Sequence, residues 1–282
     1  TSRRPAPRWV SMAEGPSRLE RAFRDAGRPL YVPYVMGGYP DLATSAERAG
    51  RLAAHADVLE LGIPFSDPLA DGPTIQAAGQ RALEGGTRPE DVIEIAEGLA
   101  GGPPVVLMTY VNIILAAGER AFCERAARAG VAGVIVPDLP IDEGESLRAH
   151  AARAGVAIVP LAAPTTSDAR LALIDRRGDG FLYCVSVTGV TGGEVRVDAA
   201  LTDFLARARR IVAMPLAVGF GVRTPDHAAA IGAMADGVVI ASELIRLAEA
   251  AEGDPGAAVD DFSRGVLDAL SGVTPAGARA GR

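Results

Sequence analysis

Two carboxylates within residues 58–76, a stretch that reads VLELGIPFSDPLADGPTIQ, have the types and spacing to do acid–base chemistry. Glu60 lies in a short apolar run of the kind that forms a buried strand. Asp71 lies further along, in a loop that contains Pro68, Gly72 and Pro73, and the Pro residues restrict the backbone of this loop. The pattern therefore places one carboxylate on a strand and the other on a rigid loop at the end of that strand.

Glu60 is the unusual member of the pair. A carboxylate in an apolar strand costs several kcal/mol unless it is paired or protonated. The alternation of a strand puts Val58 and Glu60 on one face and Leu59 and Leu61 on the other. One interpretation is a structural Glu whose carboxylate oxygens accept hydrogen bonds from a neighbouring Arg or from backbone N–H groups. The other is an acid–base pair, because two carboxylates in unequal environments can hold opposite protonation states in one site.

The elements around this stretch alternate between strand and helix about eight times, and the strands are almost continuously apolar. No Gly-rich turn follows the first strand, as a doubly wound dinucleotide-binding sheet would require. The pattern predicts an α/β fold, a (β/α)8 TIM barrel. The predicted strands are residues 30–36, 58–61, 105–108, 133–136, 157–161, 181–185, 216–218 and 237–240.

The length of 282 residues suits one large domain of this kind. We predict a flexible, Pro- and Arg-rich extension over residues 1–16, a catalytic barrel over 17–270, and a flexible Gly- and Ala-rich tail over 271–282. An amphipathic helix over residues 18–26 precedes the first strand. We expect that helix to cap one end of the barrel.

Composition excludes several classes of function. The net charge of −7 argues against a nucleic-acid partner, and no apolar run approaches the roughly 18 residues that span a membrane. Cys123 and Cys184 lie in apolar contexts, so we expect buried free thiols in a reducing, cytoplasmic compartment. The three His residues lack metal-ligand spacing, and no metal site is predicted.

Barrel enzymes work at the carboxyl ends of their strands, and the unusual residues of this chain fall there. The ends of the last two strands often bind phosphate through backbone N–H groups and a helix N-terminus. Gly219 and Gly221 supply bare backbone at one of these ends, and Ser242 at the other could cap a helix or donate to an anion. Ordinary tight turns are the alternative explanation, but the coincidence of both features with the two phosphate-prone strand ends favours a phosphate site. The candidate residues at strand ends are Tyr110, Asn112, Asp138, Tyr183, Thr191, Gly192, Gly221, Ala241 and Ser242.

The motif ELGIPFSDPLADGPTIQ closely resembles that of the tryptophan synthase alpha chain family, and the resemblance is long and specific. It continues in order through LMTYVN, VIVPDLP, GVTG, GFG and the final Ser, over nearly the whole domain. It implies a cofactor-free lyase of tryptophan biosynthesis. The implied reaction is a retro-aldol cleavage of indole-3-glycerol phosphate to indole and glyceraldehyde 3-phosphate, with a β subunit as partner.

The resemblance also assigns roles to residues. It makes Glu60 the general acid/base, Asp71 the second catalytic carboxylate and Tyr183 the tyrosine beside the acid/base. No lysine stands at a motif position, which removes a lysine-dependent aldolase. The remaining implied residues bind substrate (Tyr34, Tyr110, Asn112, Thr191) or phosphate (Gly192, Gly221, Ala241, Ser242).

The chain departs from the family pattern in two places. Residues 36–40 read MGGYP, where a polar Thr or small residue and Gly-Asp/Phe-Pro are usual. Ala241 stands where Gly is usual, and we expect its Cβ to narrow the approach to phosphate. These departures leave the catalytic pair intact but bear on the substrate and the pathway.

Two alternatives to the leading prediction stay open. One is a stand-alone paralogue that releases free indole, or cleaves a related substrate, for a specialised pathway. The other is an inert activator of a β subunit, which would need none of Glu60, Asp71 and Tyr183. We expect the loops over residues 64–73 and 188–198 to be mobile when empty and to face the β subunit. The resemblance places Asp67, Pro68 and Pro140 near that contact.

Overall fold

The computed structural model describes residues 18–185, 199–219 and 221–274, and strands alternate with helices through this part of the chain. The strands are β1 (Leu30–Met36), β2 (Leu59–Gly62), β3 (Val105–Met108), β4 (Val131–Ile135), β5 (Ala157–Val159), β6 (Leu161–Ala162), β7 (Leu182–Val185), β8 (Leu216–Gly219) and β9 (Gly237–Ile240). The helices are α1 (Arg18–Asp25), α2 (Leu42–Ala53), α3 (Pro73–Glu84), α4 (Pro89–Gly98), α5 (Val111–Ala117), α6 (Glu119–Arg128), α7 (Glu145–Ala154), α8 (Asp168–Arg177), α9 (Ala199–Ile211), α10 (Pro225–Gly232), α11 (Ser242–Ala250) and α12 (Pro255–Ser271).

All the strands pair in parallel, in the order β5-β4-β3-β2-β1-β9-β8-β7-β6. The two outermost segments, β5 and β6, are consecutive in the chain and are separated only by Pro160. The Pro160 carbonyl accepts a hydrogen bond of 2.9 Å from the Tyr183 N–H. Thus β5 and β6 act as one strand that pairs with β4 on one side and β7 on the other. The sheet therefore closes into the predicted (β/α)8 barrel.

The strand predicted at residues 157–161 is split at Pro160, which has no N–H to donate. The strands predicted at residues 58–61, 133–136, 181–185 and 216–218 are found at 59–62, 131–135, 182–185 and 216–219. The strands predicted at residues 30–36, 105–108 and 237–240 are confirmed at both ends. Two helices, α5 and α12, lie where no element was predicted. The start of α12 carried a clear signal, since Asp254 caps it and Pro255 is its first residue.

The first helix, α1, closes the amino-terminal end of the barrel, as predicted. Leu19 is fully buried among side chains that point into the barrel, and the Phe23 ring lies 5.2 Å from that of Phe181. Arg18 donates hydrogen bonds to the carbonyl oxygens of Gly130 (3.0 Å) and Gly102 (3.1 Å). This end of the barrel is thus filled, and the opposite end is left for a site.

Inside the barrel, the side chains nearer the amino ends of the strands are apolar, and the layer of side chains near the carboxyl ends is polar. Val32 and Val58 belong to the apolar interior. Tyr34 follows Val32 by two residues in β1, and Glu60 follows Val58 by two residues, in β2. Between the sheet and the helices lies the larger apolar core. Cys123 and Cys184 are buried free thiols, as expected.

Some predictions fall outside the described residues. These are the extension over residues 1–16, the loop over 188–198 with Thr191 and Gly192, and most of the tail. None of the helices in the described part of the chain has both the length and the apolar character to span a bilayer.

Candidate active site

Glu60 lies in β2 with its side chain directed into the barrel and only 1% exposed. In the strand register its neighbours are Tyr34 of β1 and Val106 of β3. Its Oε2 atom has no hydrogen-bond partner among the described residues. Burial, helped by the negative charge of Asp71, raises the pKa of Glu60 to about 8. The side chain is therefore protonated at neutral pH.

Asp71 lies in the loop between β2 and α3 (residues 64–73, the Asp71 loop). The side-chain amide of Gln76 in α3 donates to the Asp71 carbonyl oxygen at 2.8 Å, and the Ala70 N–H donates to the Tyr110 hydroxyl at 3.2 Å. Burial raises the pKa of Asp71 to about 6, and a hydrogen bond with the Tyr110 hydroxyl limits the rise. At neutral pH this carboxylate is mostly ionised.

Two tyrosines from either side of the barrel extend over glycines of the neighbouring strands. Tyr34 lies against Gly62 of β2, and Tyr183 of β7 lies against Gly219 of β8; a Cβ at either glycine would overlap the phenol. Burial, with the charges of Glu60 and Asp71, raises the pKa of both tyrosines well above the ordinary value. Both phenols therefore stay neutral. The Tyr34 hydroxyl donates to the Met36 Sδ atom at 3.7 Å in this structure, and the Tyr183 hydroxyl can donate a hydrogen bond at the site.

Tyr110 and Asn112 follow β3 but have different surroundings. The Tyr110 ring is buried and stacks on Phe65 of the Asp71 loop, with 4.9 Å between ring centroids. Asn112, by contrast, is exposed on α5, because the chain turns into that helix directly after Tyr110. Asp138 accepts a hydrogen bond of 2.9 Å from the Val111 N–H and so caps the first turn of α5. In this structure Asn112 is thus apart from the buried site.

The phosphate candidates lie at the ends of β8 and β9. Gly221 has a positive φ of 66°, a backbone conformation that glycine adopts without strain. Ser242 was expected as a possible N-cap, but the structure makes Ala241 the N-cap and Ser242 the first residue of α11. Ala241 packs against an apolar cluster that contains Tyr34, Met36 and Ile245. The Ala241 methyl group therefore contacts apolar side chains of this cluster. That its Cβ narrows the approach to phosphate stays a prediction.

Sequence reasoning assigned no role to Gln76 or Phe65, although both lie in the quoted motif. Gln76 holds the backbone of Asp71, and Phe65 supports Tyr110. The only signal for Gln76 was its place one turn into a helix that follows a loop, where a side-chain amide can reach back. No group of three His, Cys, Asp or Glu side chains in the described residues is arranged to hold a metal ion.

The fold and the site together define a class of protein. It is a (β/α)8-barrel enzyme with a buried protonated carboxylic acid, an ionised carboxylate and neutral phenols at the carboxyl ends of its strands. Such a set suits acid–base chemistry. The chain contains no lysine, which excludes an aldolase that works through a lysine Schiff base.

Comparisons with known proteins name the particular family. The family model described as "Tryptophan synthase alpha chain" matches residues 21–266. The tryptophan synthase alpha chain of Deinococcus radiodurans is 45% identical over 89% of this chain and 95% of the relative. That of Carboxydothermus hydrogenoformans is 44% identical over 83% and 90%.

Solved structures agree with these relatives. The alpha subunit of tryptophan synthase from Legionella pneumophila aligns with a TM-score of 0.85 at 31% identity, over 92% of this chain and all of that chain. A structure of Mycobacterium tuberculosis tryptophan synthase aligns with a TM-score of 0.83 at 34% identity, over 91% and 99%. The chain belongs to the tryptophan synthase alpha chain family. It is a carbon–carbon lyase of tryptophan biosynthesis that cleaves indole-3-glycerol phosphate.

Proposed function

We propose that Glu60 and Asp71 carry out this cleavage as a matched acid and base, with Tyr183 beside them. The observation that carries the proposal is the separation of their pKa values, about 8 for Glu60 and about 6 for Asp71. At pH 7 the first is mostly protonated and the second mostly ionised. A reaction in which one group donates a proton to the substrate and another group accepts a proton from it can use this pair without a cofactor.

The bond that breaks joins C3 of the indole ring to the glycerol side chain. The indole ring can leave only when its C3 atom has received a proton, and Glu60 delivers that proton. The ring N–H becomes acidic as positive charge develops, and the Asp71 carboxylate accepts that proton. Glu60 then removes the proton of the adjacent side-chain hydroxyl as the aldehyde forms. Asp71 returns its proton, so both carboxyl groups end as they began.

The remaining candidates hold the two ends of the substrate. Tyr34, Tyr110 and Thr191 contact the ring or the glycerol, with Asn112 contributing only if α5 moves. The phosphate binds backbone N–H groups at Gly192, Gly221, Ala241 and Ser242. The positive φ of Gly221 and the start of α11 support this assignment, since a helix N-terminus presents free N–H groups to an anion.

Replacing either carboxylate tests the assignment. Glu60→Gln and Asp71→Asn should each lower kcat by about 10² to 10⁴-fold, because general acid–base groups contribute that much. The measurement is release of glyceraldehyde 3-phosphate, with thermal melting as the control for folding. Turnover near that of the wild type in a folded variant would refute the role of the substituted residue.

We also propose a β subunit as partner, in a cytoplasmic α2β2 complex. Leu69 in the Asp71 loop is 89% exposed and Leu115 on α5 is 55% exposed, and both lie at the end of the barrel that carries the site. Exposed apolar side chains at one end of a protein favour a contact surface. Ordering a loop of about ten residues costs on the order of 10 kcal/mol, which a partner surface can offset better than a small substrate.

Addition of the cognate β subunit tests the partner. We expect indole formation to rise about tenfold at saturation, within the usual range of coupling between sites. Leu69→Ser should weaken this stimulation, whereas Leu42→Ser, which changes an exposed leucine at the start of α2, in a groove between α2 and α4, should not. Fast turnover that a saturating β subunit leaves unchanged would favour the stand-alone lyase instead.

A further inference from the structure

Two residues that depart from the family pattern, Met36 and Tyr39, enter the same space between α3 and α11. Both follow or end β1, and they are only 4% and 3% exposed. They form one apolar cluster with Ala78 and Ala82 of α3 and with Ile245 of α11. The two side chains are therefore neighbours in one structural feature.

Met36 is complementary to a glycine in the middle of α3. A Cβ built at Gly79 would lie 3.3 Å from the Met36 Cε atom, which is tighter than ordinary contact. Glycine in a helix interior lowers helix stability, so its presence needs a reason. The room that Gly79 leaves for Met36 supplies that reason.

Tyr39 connects the same two helices through its ring and its hydroxyl group. The hydroxyl donates to the Glu249 carboxylate of α11. Arg81 of α3 donates to the Tyr39 hydroxyl oxygen at 3.4 Å, and its guanidinium carbon lies 5.2 Å from the ring centroid. One side chain thus holds both helices at a set separation.

Each of these helices leads to one end of the substrate site. Asp71 precedes α3 and is tied to it by the hydrogen bond from Gln76. Ala241, the N-cap of α11, lies at the proposed phosphate end and packs against the same apolar cluster. A change in the separation that the cluster sets between α3 and α11 would therefore move Asp71 relative to the proposed phosphate site at the start of α11.

We propose that Met36 and Tyr39 form a spacer that sets the distance between Asp71 and the start of α11. The spacer thereby selects the length of the chain that joins ring and phosphate in the substrate. The inference rests on the proposed function, because it requires a ligand that reaches both ends. Met36 and Tyr39 are positioning residues in this scheme, since they act through α3 and α11 and, for Met36, also through Tyr34, whose hydroxyl donates to its Sδ atom at 3.7 Å.

A pair of glycine substitutions isolates the effect of the spacer. Gly79→Ala adds a methyl group against Met36, whereas Gly50→Ala adds one in α2 where nothing lies within 4 Å. The two changes bring the same gain in helix propensity. Tyr39→Phe is the second variant, which keeps the ring and removes the hydroxyl link to Glu249.

The readouts are inhibition constants for inorganic phosphate and for 3-indolylalkyl phosphates with chains of two, three and four carbons. For Gly79→Ala we expect the three-carbon probe to bind about tenfold more weakly and the preferred length to shift, with phosphate changed less than about twofold. Tyr39→Phe should weaken the three-carbon probe about threefold. Gly50→Ala should match the wild type.

The outcomes separate this inference from the function on which it rests. If phosphate does not compete with substrate in the wild type, the proposed phosphate end is wrong. If phosphate competes but Gly79→Ala keeps the wild-type length preference, the spacer is refuted while the function stands. Equal weakening of phosphate and of every probe would also refute the spacer, because it would show damage at the phosphate end alone.

Discussion

Glu60 and Asp71 carry the same functional group, and their surroundings give them different pKa values. Glu60 is enclosed by strands and has an oxygen without a hydrogen-bond partner in the part of the chain that the structure describes, so burial dominates its pKa. Asp71 is less buried and bonds to Tyr110, which limits the rise of its pKa. A local difference of this kind is how one protein holds an acid and a base ready at the same pH.

The dependence of kcat/KM on pH should be bell-shaped with its maximum near pH 7. Asp71 must be ionised, so activity should fall as the pH drops below about 6. Glu60 must be protonated, so activity should fall as the pH rises above about 8. Steady-state kinetics across this range measure both limbs. A flat profile between about pH 5 and pH 9 would contradict the assignment.

Tyr110→Phe serves as the control for the acidic limb. The substitution removes the hydrogen bond that lowers the Asp71 pKa, so the acidic limb should move to higher pH. The phenyl ring can still stack on Phe65, and the basic limb should stay in place. Movement of the basic limb alone would mean that Tyr110 acts on Glu60 instead.

At the scale of elements, the start of α11 bears on the proposed phosphate site. Ala241 occupies the N-cap position and has no side-chain oxygen to satisfy the first N–H groups of the helix. The Leu244 N–H already donates to the Ala241 carbonyl oxygen at 3.1 Å, and the N–H groups of Ser242 and Glu243 are the ones that a phosphate could bind. A helix start with a Ser or Asp at the N-cap would compete with the ligand for the same donors.

Ala241→Gly should bind inorganic phosphate at least as tightly as the wild type. Glycine is a better N-cap residue than alanine and allows closer approach of the backbone. The loss of the methyl contact with the apolar cluster offsets the better cap, so the melting temperature should change by less than about 3 °C. Competition kinetics and thermal melting check both parts. Clearly weaker phosphate inhibition would show that the methyl group helps binding.

At the scale of the whole molecule, the buried acid lowers stability at alkaline pH. In the unfolded chain Glu60 ionises near its ordinary pKa of 4.5, but the folded protein keeps the proton until about pH 8. Between these values the folded state binds more protons, so the free energy of unfolding falls as the pH rises. The contribution of protonated Glu60 to the free energy of unfolding is fully present below about pH 4.5 and is lost progressively as the pH rises to about 8.

Glu60→Gln should remove this loss, because an amide does not ionise. The variant should gain stability relative to the wild type as the pH rises from about 5 to 8, by on the order of 3 kcal/mol at about 1.4 kcal/mol per pKa unit. Urea denaturation at several pH values measures the difference. Parallel pH dependence in the two proteins would show that Glu60 is not the group responsible.

Much of the fold follows from the sequence alone. Short apolar runs bounded by Gly and Pro repeat along the chain, and they determine the strands, their order and a barrel. The single carboxylate within such a run indicated Glu60 as a candidate, and the polar and glycine residues after the other runs indicated the end of the barrel where we propose the site. These are local properties, because burial pattern and turn chemistry depend on neighbours in the chain.

Only the tertiary structure decided the features that join distant residues. It placed Tyr34 beside Glu60, capped α5 with Asp138 and left Asn112 exposed on that helix. It divided the fifth strand at Pro160 between two partners, and it fitted Met36 to Gly79. The pKa of a carboxyl group and the contact of two side chains depend on what packing brings together, and sequence spacing carries little of that information.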